Sequence, residues 1–385
     1  MTVTFRVVDA ITEVAKEAWD DLCRDRGGGP FIGWRWLALL EETGCASPET
    51  GWIPQHLTLW RDGLLCSVAP AYIKLHSEGE FIFDWSWADA AHGAGIRYYP
   101  KLLIAVPFTP ATGPRFLCAA GEDVAECVAA MAAGAVELCR ARGLSSVHAL
   151  FVDDDERRAL AESGFASRLG FQFHWRNHGY ASMADFLARM TSKRRNQVRR
   201  EMAAPERAGI DIETLAGDAL TPEVMSVMYD LYLANVDKHV WGRRYLSRDV
   251  FLRAGQILGD VVEVVLARER SSVRPIAGAF NFAGKSRIFG RYWGAFEDLP
   301  FLHFNVCYYH SIARCIRRGT EVFEPGAGGG HKLARGFEPS PVWSAHWFSH
   351  PALGEAVGRF VVAEAAQVEH QMAALRERSP LVKAL

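Results

Sequence analysis

Phe323-Glu-Pro-Gly-Ala-Gly-Gly-Gly-His-Lys-Leu-Ala-Arg-Gly-Phe337 joins the end of an apolar, strand-like segment to a cluster of hydrogen-bond donors. Its glycines permit positive φ angles and a close approach to the backbone. His331, Lys332 and Arg335 follow directly, so open backbone and clustered donors stand side by side. This composition favours a site for an anionic or carbonyl-bearing ligand, and a plain turn between two strands is the alternative.

Two phosphate-binding motifs are excluded at this position. A P-loop has a glycine immediately before its lysine and Ser or Thr immediately after it, whereas His331 and Leu333 stand in those places. A dinucleotide-binding fingerprint opens a helix, and Pro339 and Pro341 forbid a long helix here. The glycines therefore belong to neither motif.

Composition limits the class of protein. The chain has 385 residues, of which 49% are hydrophobic, and this size suggests two domains with ample core. The formal net charge of −2 means that any nucleic-acid-binding surface must be a local patch. The eight cysteines form no CxxC pair or Cys/His cluster, so we expect reduced thiols, no metal site and a cytoplasmic location. No signal peptide or transmembrane helix is predicted, and hence no membrane insertion.

The first half predicts two helices, a run of antiparallel strands, and then a helix, a strand and a helix. Phe81–Trp87 is predicted to be an aromatic strand that carries Asp84, and Tyr98–Pro107 is predicted to be the next strand. The other predicted elements are a strand at 3–8, helices at 10–25 and 34–42, a hairpin over 56–75, a helix at 122–142, a strand at 146–152 and a helix at 154–163.

The second half repeats this order of elements. The predicted helices are 182–205, 222–236, 248–255 and 302–318, and the predicted strands are 172–175, 261–267, 275–282, 286–293 and 320–323. Pro351–Arg378 has apolar residues every three or four positions and predicts one long amphipathic helix. We therefore predict an α+β chain with two domains of similar topology, 1–168 and 169–350, and a C-terminal helical segment, 351–385.

A basic run, Lys193-Arg-Arg-Asn-Gln-Val-Arg-Arg200, lies inside the predicted helix 182–205. On this helix, Arg194 shares an apolar face with Leu187, Met190 and Val198, so it should need a buried anionic partner or ligand. A phosphate-contacting patch for the acceptor end of a tRNA is the functional interpretation, and a solvated basic face is the alternative. The candidate phosphate-binding residues are Lys193, Arg194, Arg195, Arg199 and Arg200.

Several aromatic-rich motifs, in one order along nearly the whole chain, carry a family resemblance. They are Pro70-Ala-Tyr-Ile-Lys-Leu-His-Ser77, Phe83-Asp-Trp-Ser-Trp-Ala-Asp89, Tyr98-Tyr-Pro-Lys-Leu102, Val106-Pro-Phe-Thr-Pro110, Ser192-Lys-Arg-Arg195, Trp241-Gly242, Tyr245-Leu246, Gly290-Arg-Tyr-Trp-Gly294, Leu302-His-Phe304, Cys307-Tyr-Tyr309 and His331-Lys-Leu-Ala-Arg-Gly336. The sequence resembles the Fem-like acyltransferases described as peptidoglycan biosynthesis/recognition proteins, a branch of the GNAT superfamily. The resemblance implies tandem GNAT-like domains and acyl transfer to an amine, in peptidoglycan or natural-product biosynthesis.

The chain departs from the family pattern at three positions. Asn305 stands where the family usually has an acidic residue, and Gly328 and Gly330 stand where it has Gln and Glu. If one of those carboxylates is the family's base, the base of this chain lies elsewhere or its substrate differs. A non-catalytic module that recognises cell-wall or peptide ligands is therefore a second functional hypothesis.

The acyl donor is predicted from the segments that would have to bind a pyrophosphate. The segment 108–115 contains two prolines without N–H groups, and 295–300 is acidic and contains no glycine. Neither segment suits the pyrophosphate of acyl-CoA. We therefore predict aminoacyl-tRNA as co-substrate, with acyl-CoA as the alternative, a small or peptidyl amine as acceptor, and no tightly bound cofactor.

The candidate catalytic bases are His331 and Asp84, followed by His303 and Glu324. Histidine titrates near neutral pH, and a carboxylate between tryptophans is expected to have a raised pKa. The expected cleft lies beside the strand that ends at Phe323, with Lys332 or Arg335 holding the donor. The candidate substrate-binding residues are Trp85, Trp87, Arg291, Tyr292, Trp293, Lys332, Arg335 and Trp241.

Overall fold

The computed structural model describes residues 2–238 and 242–382. The chain divides into two compact units, which are Met1–Phe171 with Pro341–His370 (unit 1) and Gln172–Ser340 with Gln371–Leu385 (unit 2). Residues 341–350, which the sequence analysis placed in the second domain, lie in unit 1. The reason is that residues 343–348 pair with Ser146–Val152 of that unit.

Unit 1 alternates short strands with helices. Its strands are β1 (Val3–Val8), β2 (Trp52–Pro54), β3 (His56–Arg61), β4 (Leu64–Ala69), β5 (Ala71–Lys74), β6 (Lys101–Ile104), β7 (Leu117–Cys118) and β8 (Ser146–Val152). Its helices are α1 (Lys16–Asp25), α2 (Trp34–Glu42), α3 (Trp85–Gly93), α4 (Val124–Ala141) and α5 (Asp154–Glu162). β9 (Ala166–Arg176) then leads into unit 2.

Unit 2 is built in the same way. Its helices are α6 (Met183–Ala188), α7 (Ser192–Met202), α8 (Ala204–Arg207), α9 (Pro222–Val236), α10 (Arg248–Ile257), α11 (Leu302–Phe304) and α12 (His310–Arg318). Its strands are β10 (Ile210–Ala216), β11 (Val262–Glu269), β12 (Pro275–Ala283), β13 (Arg287–Ala295) and β14 (Val322–Glu324). β15 (Glu338–Phe348) and α13 (Pro351–Glu377) complete the chain.

The strand order is the same in both units. In unit 2, β10, β11, β12 and β13 form an antiparallel meander, β14 runs parallel to β13, and β9 pairs antiparallel with β14. In unit 1, β1, β3 and β4 form the meander. The next position of the sheet is occupied by β7, which pairs with β4, and by β6, which pairs with β5, the continuation of β4 beyond Pro70. β8 then runs parallel to β6, and β15 pairs antiparallel with β8. The predicted α+β class with a duplicated order of elements is confirmed.

Local chemistry explains where the sheets are interrupted and covered. Pro70 separates β4 from β5 because proline has no N–H group to donate to a neighbouring strand. In unit 2, helix α9 crosses β13 so closely that a Cβ atom on Gly294 would lie 1.7 Å from the carbonyl oxygen of Leu231. Only glycine permits this approach, which fixes α9 on the sheet beside the most aromatic part of β13.

The predicted strand at Phe81–Trp87 is wrong. These residues form a loop that leads into α3, and Asp84 is the N-cap residue of that helix. The aromatic residues suggested a strand, but Trp87 is buried together with Ala91, one helical turn further on. The next predicted strand, Tyr98–Pro107, is shorter in the structure and covers only β6.

The predicted continuous helix 182–205 is also wrong. The chain breaks after α6, where Thr191 N donates to Pro380 O (3.0 Å), and α7 and α8 follow as separate helices. Because the helical phase is lost at the break, Arg194 does not share the predicted face with Leu187. Arg194 is only half-buried, and it donates to the Gln197 side chain.

The long C-terminal helix is confirmed as α13. Its apolar residues Leu353, Val357 and Val361 are buried in a cluster with Trp87 and Ala91 of α3. None of the described helices combines the length and the apolar composition that a membrane span requires.

Candidate functional site

The candidate site of unit 2 lies at the end of the short parallel ladder between β13 and β14. The ladder between β13 and β14 covers only Arg287–Phe289 and Val322–Glu324. Just beyond it, β13 bulges, since Tyr292 is opposite Phe280 and Gly290 is opposite Asn281. A bulge re-aims the side chains that follow it, and bulges are common next to active sites.

The glycine-rich stretch follows β14 and is open. Gly326, Gly328 and Gly329 have φ angles of 85°, 66° and 85°, which side chains rarely adopt. A Cβ atom added at Gly328 or Gly330 would have no atom within 4 Å beyond its immediate chain neighbours. Both glycines are exposed, so this space is open to solvent and side chains larger than glycine would fit there.

His331 lies at the end of this stretch, in a 3-10 helix of six residues, Gly330–Arg335. Its Nε2 atom is 2.9 Å from the hydroxyl oxygen of Tyr308. Partial burial lowers the pKa of His331, and the neighbouring charges of Arg335 and Lys332 lower it further. At neutral pH the imidazole is therefore unprotonated and able to accept a proton, which is what a general base requires.

Aromatic rings lie beside the imidazole of His331. Phe304 and His303 lie 5.6 and 5.8 Å from it between ring centroids, and Trp293 of β13 lies 4.6 Å from His303. Burial is the main cause that lowers the pKa of His303 to about 4, so this second histidine is also neutral. Burial likewise raises the pKa of Tyr308, which keeps its hydroxyl protonated.

Lys332 and Arg335 have internal partners. Lys332 is 2% exposed, and its ammonium donates to the carbonyl oxygens of Gly326 (2.7 Å) and Ala327 (3.3 Å). Burial lowers its pKa to about 8. Arg335 donates to His331 O (2.8 Å), and its guanidinium carbon lies 3.3 Å from the ring centroid of Phe304. These contacts fix the glycine-rich stretch and His331, and they give no support to the predicted role in holding the donor.

Two residues that the sequence analysis did not nominate complete the cluster. Tyr308 bonds His331, and Glu201 of α7 accepts from Arg335 Nη2 at 3.0 Å and from the hydroxyl of Tyr309. An acidic residue directly after a basic run was the only sequence signal for Glu201. The sequence did not show which way Glu201 points, because the helical phase of α7 is set only after the break that separates it from α6.

Asn305, one of the three expected departures from the family pattern, lies in the same cluster. Asn305 opens a π-helical turn between α11 and α12. Its amide donates to the backbone oxygens of Glu201 and Phe301, both at 2.9 Å. Asn305 thus ties α7 to this turn, and the carboxylate of Glu201 provides negative charge beside it.

The remaining candidates of unit 2 have these positions. Glu324 accepts from Arg287 Nη1 at 2.6 Å and lies 3.7 Å from His174 Nε2, so it is held in an ion pair. The guanidinium of Arg291 lies 5.1 Å from the ring centroid of Tyr292. The predicted contact residue Trp241 lies outside the described residues.

The basic run divides into exposed and internally bonded cations. Lys193, Arg199 and Arg200 are exposed on α7. Arg195 Nη2 donates to the backbone oxygens of Ala188 (3.2 Å) and Met190 (2.9 Å), and so bonds the carbonyls at the end of α6. The exposed members are therefore the ones whose charge is available to a polyanion.

Asp84, Trp85 and Trp87 belong to unit 1, whereas the His331 cluster is built from unit 2. Asp84 Oδ2 accepts from Lys101 Nζ (2.6 Å) and from the hydroxyl of Tyr98 (2.7 Å). Burial alone would raise the pKa of Asp84, but the charge and hydrogen bond of Lys101 outweigh it and the pKa is lowered. The predicted raised pKa is therefore wrong. Trp87 is buried and Trp85 is 44% exposed.

In unit 1, residues 113–115 donate hydrogen bonds to backbone oxygens at the end of β8. Gly113 N donates to Phe151 O (3.1 Å), and Arg115 Nε donates to Leu150 O (2.9 Å). The backbone N–H of Arg115 also donates to Glu156, which is fully buried. In unit 1, the backbone oxygens at the end of β8, the strand equivalent to β14, therefore already accept hydrogen bonds from residues 113–115.

The comparisons with known proteins agree with this fold. The profile of the FemAB-like family, described as peptidoglycan biosynthesis/recognition, matches residues 10–383. A solved structure of FemX is 11% identical, with a TM-score of 0.54, over 93% of this chain and 100% of that one. The C-terminal domain of a putative lysylphosphatidylglycerol synthetase from Agrobacterium fabrum is 12% identical, with a TM-score of 0.53, over 89% and 94%. L-PGS from Bacillus licheniformis is 9% identical, with a TM-score of 0.50, over 84% and 95%.

These likenesses show the fold, and the Fem-like architecture predicted from the sequence is confirmed. No curated protein is similar enough to this chain to count as a match.

Proposed function

We propose, from the premise that this chain belongs to the FemAB-like peptidoglycan biosynthesis/recognition family, that it is a cytoplasmic aminoacyltransferase. It moves an aminoacyl group from aminoacyl-tRNA to the amine of a small or peptidyl acceptor. The observation that carries this proposal is the neutral imidazole of His331, bonded to Tyr308 beside an open glycine backbone.

The reaction assigns one task to each part of the site. The acceptor amine attacks the ester carbonyl of the donor, and a C–N bond forms as His331 takes the proton of the amine. Backbone N–H groups of the glycine-rich stretch stabilise the oxyanion of the tetrahedral intermediate. The C–O bond then breaks, and the ribose oxygen of the tRNA leaves with a proton returned from the site, for which the hydroxyl of Tyr308 is the adjacent donor.

Unit 2 is the half assigned to catalysis. Its glycine-rich stretch leaves space at Gly328 and Gly330, whereas the corresponding place in unit 1 is bonded to Gly113 and Arg115. The two open glycines leave more room than the bulkier residues of the family would. We therefore expect this chain to accept a larger ligand at this position.

The loop before α11 supports a tRNA donor over acyl-CoA. It carries Glu297, Asp298 and Pro300, so it presents negative charge and lacks one N–H group where a pyrophosphate would need donors. The exposed cations of α7 offer contacts of the opposite charge to the phosphates of tRNA.

A transfer assay tests the proposal. The purified protein is incubated with total tRNA charged with ¹⁴C-amino acids, or separately with ¹⁴C-acetyl-CoA, and with a small-molecule extract that contains peptidoglycan precursors. We expect a base-stable, RNase-resistant labelled amide only with the charged tRNA. Product formed from acetyl-CoA alone would assign the other donor, and binding of precursors without any product would favour a recognition module.

The exposed cations of α7 give a second expected result. Arg199→Ala/Arg200→Ala removes about two phosphate contacts. The slope of log K against log salt for tRNA binding is negative, and its magnitude should decrease by roughly two. The matched control is Arg140→Ala/Arg158→Ala, which removes two cations that are 60% and 63% exposed in unit 1. An unchanged slope in the α7 variant would show that this helix is only a solvated basic face.

A further inference from the structure

A chain of hydrogen bonds joins the basic helix α7 to the backbone of His331. Arg194 Nη1 donates to Gln197 Oε1, and Gln197 Nε2 donates to Glu201 Oε1, both at 2.8 Å. Glu201 Oε2 accepts from Arg335 Nη2 at 3.0 Å, and Arg335 Nη1 donates to His331 O at 2.8 Å. Each link uses a different atom, so all four contacts are made at the same time.

The two faces of α7 have different tasks in this arrangement. Arg194, Gln197 and Glu201 are spaced by three and four residues and therefore lie on one side of the helix. Lys193 and Arg200, seven residues apart, lie together on a side that is exposed. A polyanion that binds the exposed side therefore contacts the same helix whose other side holds Arg335.

The central ion pair is held in a single geometry. Glu201 is 2% and Arg335 is 6% exposed, and Tyr309 also donates to Glu201 Oε2. Asn305 donates to the backbone oxygen of Glu201 at 2.9 Å. Arg335 Nη1 and Nη2 and Glu201 Oε2 thus have hydrogen-bond partners, and we expect these contacts to favour one side-chain geometry of the buried pair.

We propose that Glu201 is a positioning residue, which acts through Arg335 to hold His331 against Tyr308 and transmits polyanion binding on α7 to that imidazole. The inference rests on the proposed function, because it assumes that His331 is the base. A movement of α7 shifts Glu201, Arg335 follows its ion-pair partner, and the backbone of His331 follows Arg335. Donor binding thus aligns the base before the acceptor amine attacks.

The first part of the test needs no catalytic activity. Protein labelled with ¹³Cε1-histidine is examined by NMR, and the His331 signal is identified by its loss in His331→Ala. We expect Glu201→Gln and Gln197→Ala to shift this signal and the pKa of its imidazole, because both variants interrupt the chain. The matched control is Glu206→Gln, an exposed residue of α8, and it should leave the signal unchanged. Gln197 is only half-buried, so its variant is expected to fold.

The second part adds uncharged tRNA to the same samples. The His331 signal should shift on binding in the unchanged protein and in Glu206→Gln, but not in Gln197→Ala. In the transfer assay, Glu201→Gln should lower kcat by about 10- to 100-fold, move the acid limb of the pH profile and leave the KM for the donor unchanged.

Three results would overturn the inference. One is a His331 signal that is the same in Glu201→Gln as in the unchanged protein. Another is tRNA binding without any change of that signal, which would leave the proposed function intact. The third is an absence of tRNA binding, which would overturn both the transmission and the proposed donor.

Discussion

His331→Ala is expected to lower kcat by about 10²–10⁴-fold, the contribution that a positioned general base makes. Affinity for the donor should change little, because the donor's phosphates are assigned to α7 and not to the imidazole. The measurement is the rate of labelled amide formation at saturating donor, together with the Kd of the donor from filter binding. The loss should therefore appear in kcat and not in KM.

A matched control separates this effect from a general effect of removing a histidine. His178 has 56% of its side chain exposed, and His178→Ala should retain full activity. Tyr308→Phe keeps the ring beside His331 but removes the hydroxyl, so its loss should be smaller than that of His331→Ala. Full activity in a folded His331→Ala protein would place the base elsewhere, and His303 would be the next histidine of the cluster to test.

The pH profile gives an independent check of the same assignment. Burial and the cations of Arg335 and Lys332 lower the pKa of His331 below its ordinary value of 6.5. The neutral, active form therefore persists to lower pH than in a free imidazole. Activity should fall only as the pH drops below about 6.5, and an acid limb above that value would contradict His331 as the titrating base.

Much of the fold was predictable because both halves use strong local signals. The bounds of α9 were predicted correctly at Pro222–Val236, since Thr221 caps its first turn and apolar residues recur along it. The strands β11, β12 and β13 were predicted to within two residues at each end, as was the C-terminal helix α13. Period and capping are properties of neighbouring residues, so a sequence can display them directly.

The errors occurred where distant contacts outweigh local preference. The aromatic residues around Asp84 suggest a strand, but they form the start of α3, where Lys101 of β6 and Tyr98, three residues before it, bind the Asp84 carboxylate. The break before α7 is bonded by Pro380, almost two hundred residues later in the chain. Neither partner is visible from the local pattern, and both errors displaced predicted site residues.

The candidate site was predictable in part for the same reason. The glycine-rich stretch and His331 are adjacent in sequence, so their association was visible as a motif. Glu201 and Tyr308 join them only through folding, from α7 and from the π-helical turn before α12. The roles of Lys332 and Arg335 depend on what their side chains bond, and spacing carries no information about that.

The contacts around Asp84 show a buried charge network in unit 1 that no step of the proposed reaction uses. Lys74 and Lys101 are opposite each other on β5 and β6, and both are fully buried. Lys101 Nζ donates to Glu80 (2.9 Å), Asp84 (2.6 Å) and Ser77 (2.8 Å). Lys74 Nζ donates to the backbone oxygen of Glu78 at 3.2 Å and lies 3.9 Å from the ring centroid of Trp52.

Lys101→Met is expected to destabilise the protein by about 3–5 kcal/mol, because it leaves two buried carboxyl groups without their cation. Burial disfavours the charge of Lys101, but Glu80 and Asp84 outweigh burial and raise its pKa. The measurement is urea unfolding monitored by tryptophan fluorescence. Glu80 and Asp84 each also have one buried carboxylate oxygen without a hydrogen-bond partner. Loss of Lys101 would therefore leave these carboxylates still less compensated.

Lys74→Met, the same substitution at the opposite position, is expected to stabilise the protein by about 1–3 kcal/mol, since replacing a poorly paired buried ion by a hydrophobic residue removes its desolvation cost. Burial lowers the pKa of Lys74 from 10.5 to about 7. Between those pH values the unfolded chain holds a proton that the folded chain lacks, so this residue's contribution to stability rises with pH and its cost is greatest below pH 7. The gain from Lys74→Met should therefore be larger at pH 6 than at pH 9. Equal losses of stability in both methionine variants would contradict this account, because they would show that the two lysines are paired alike.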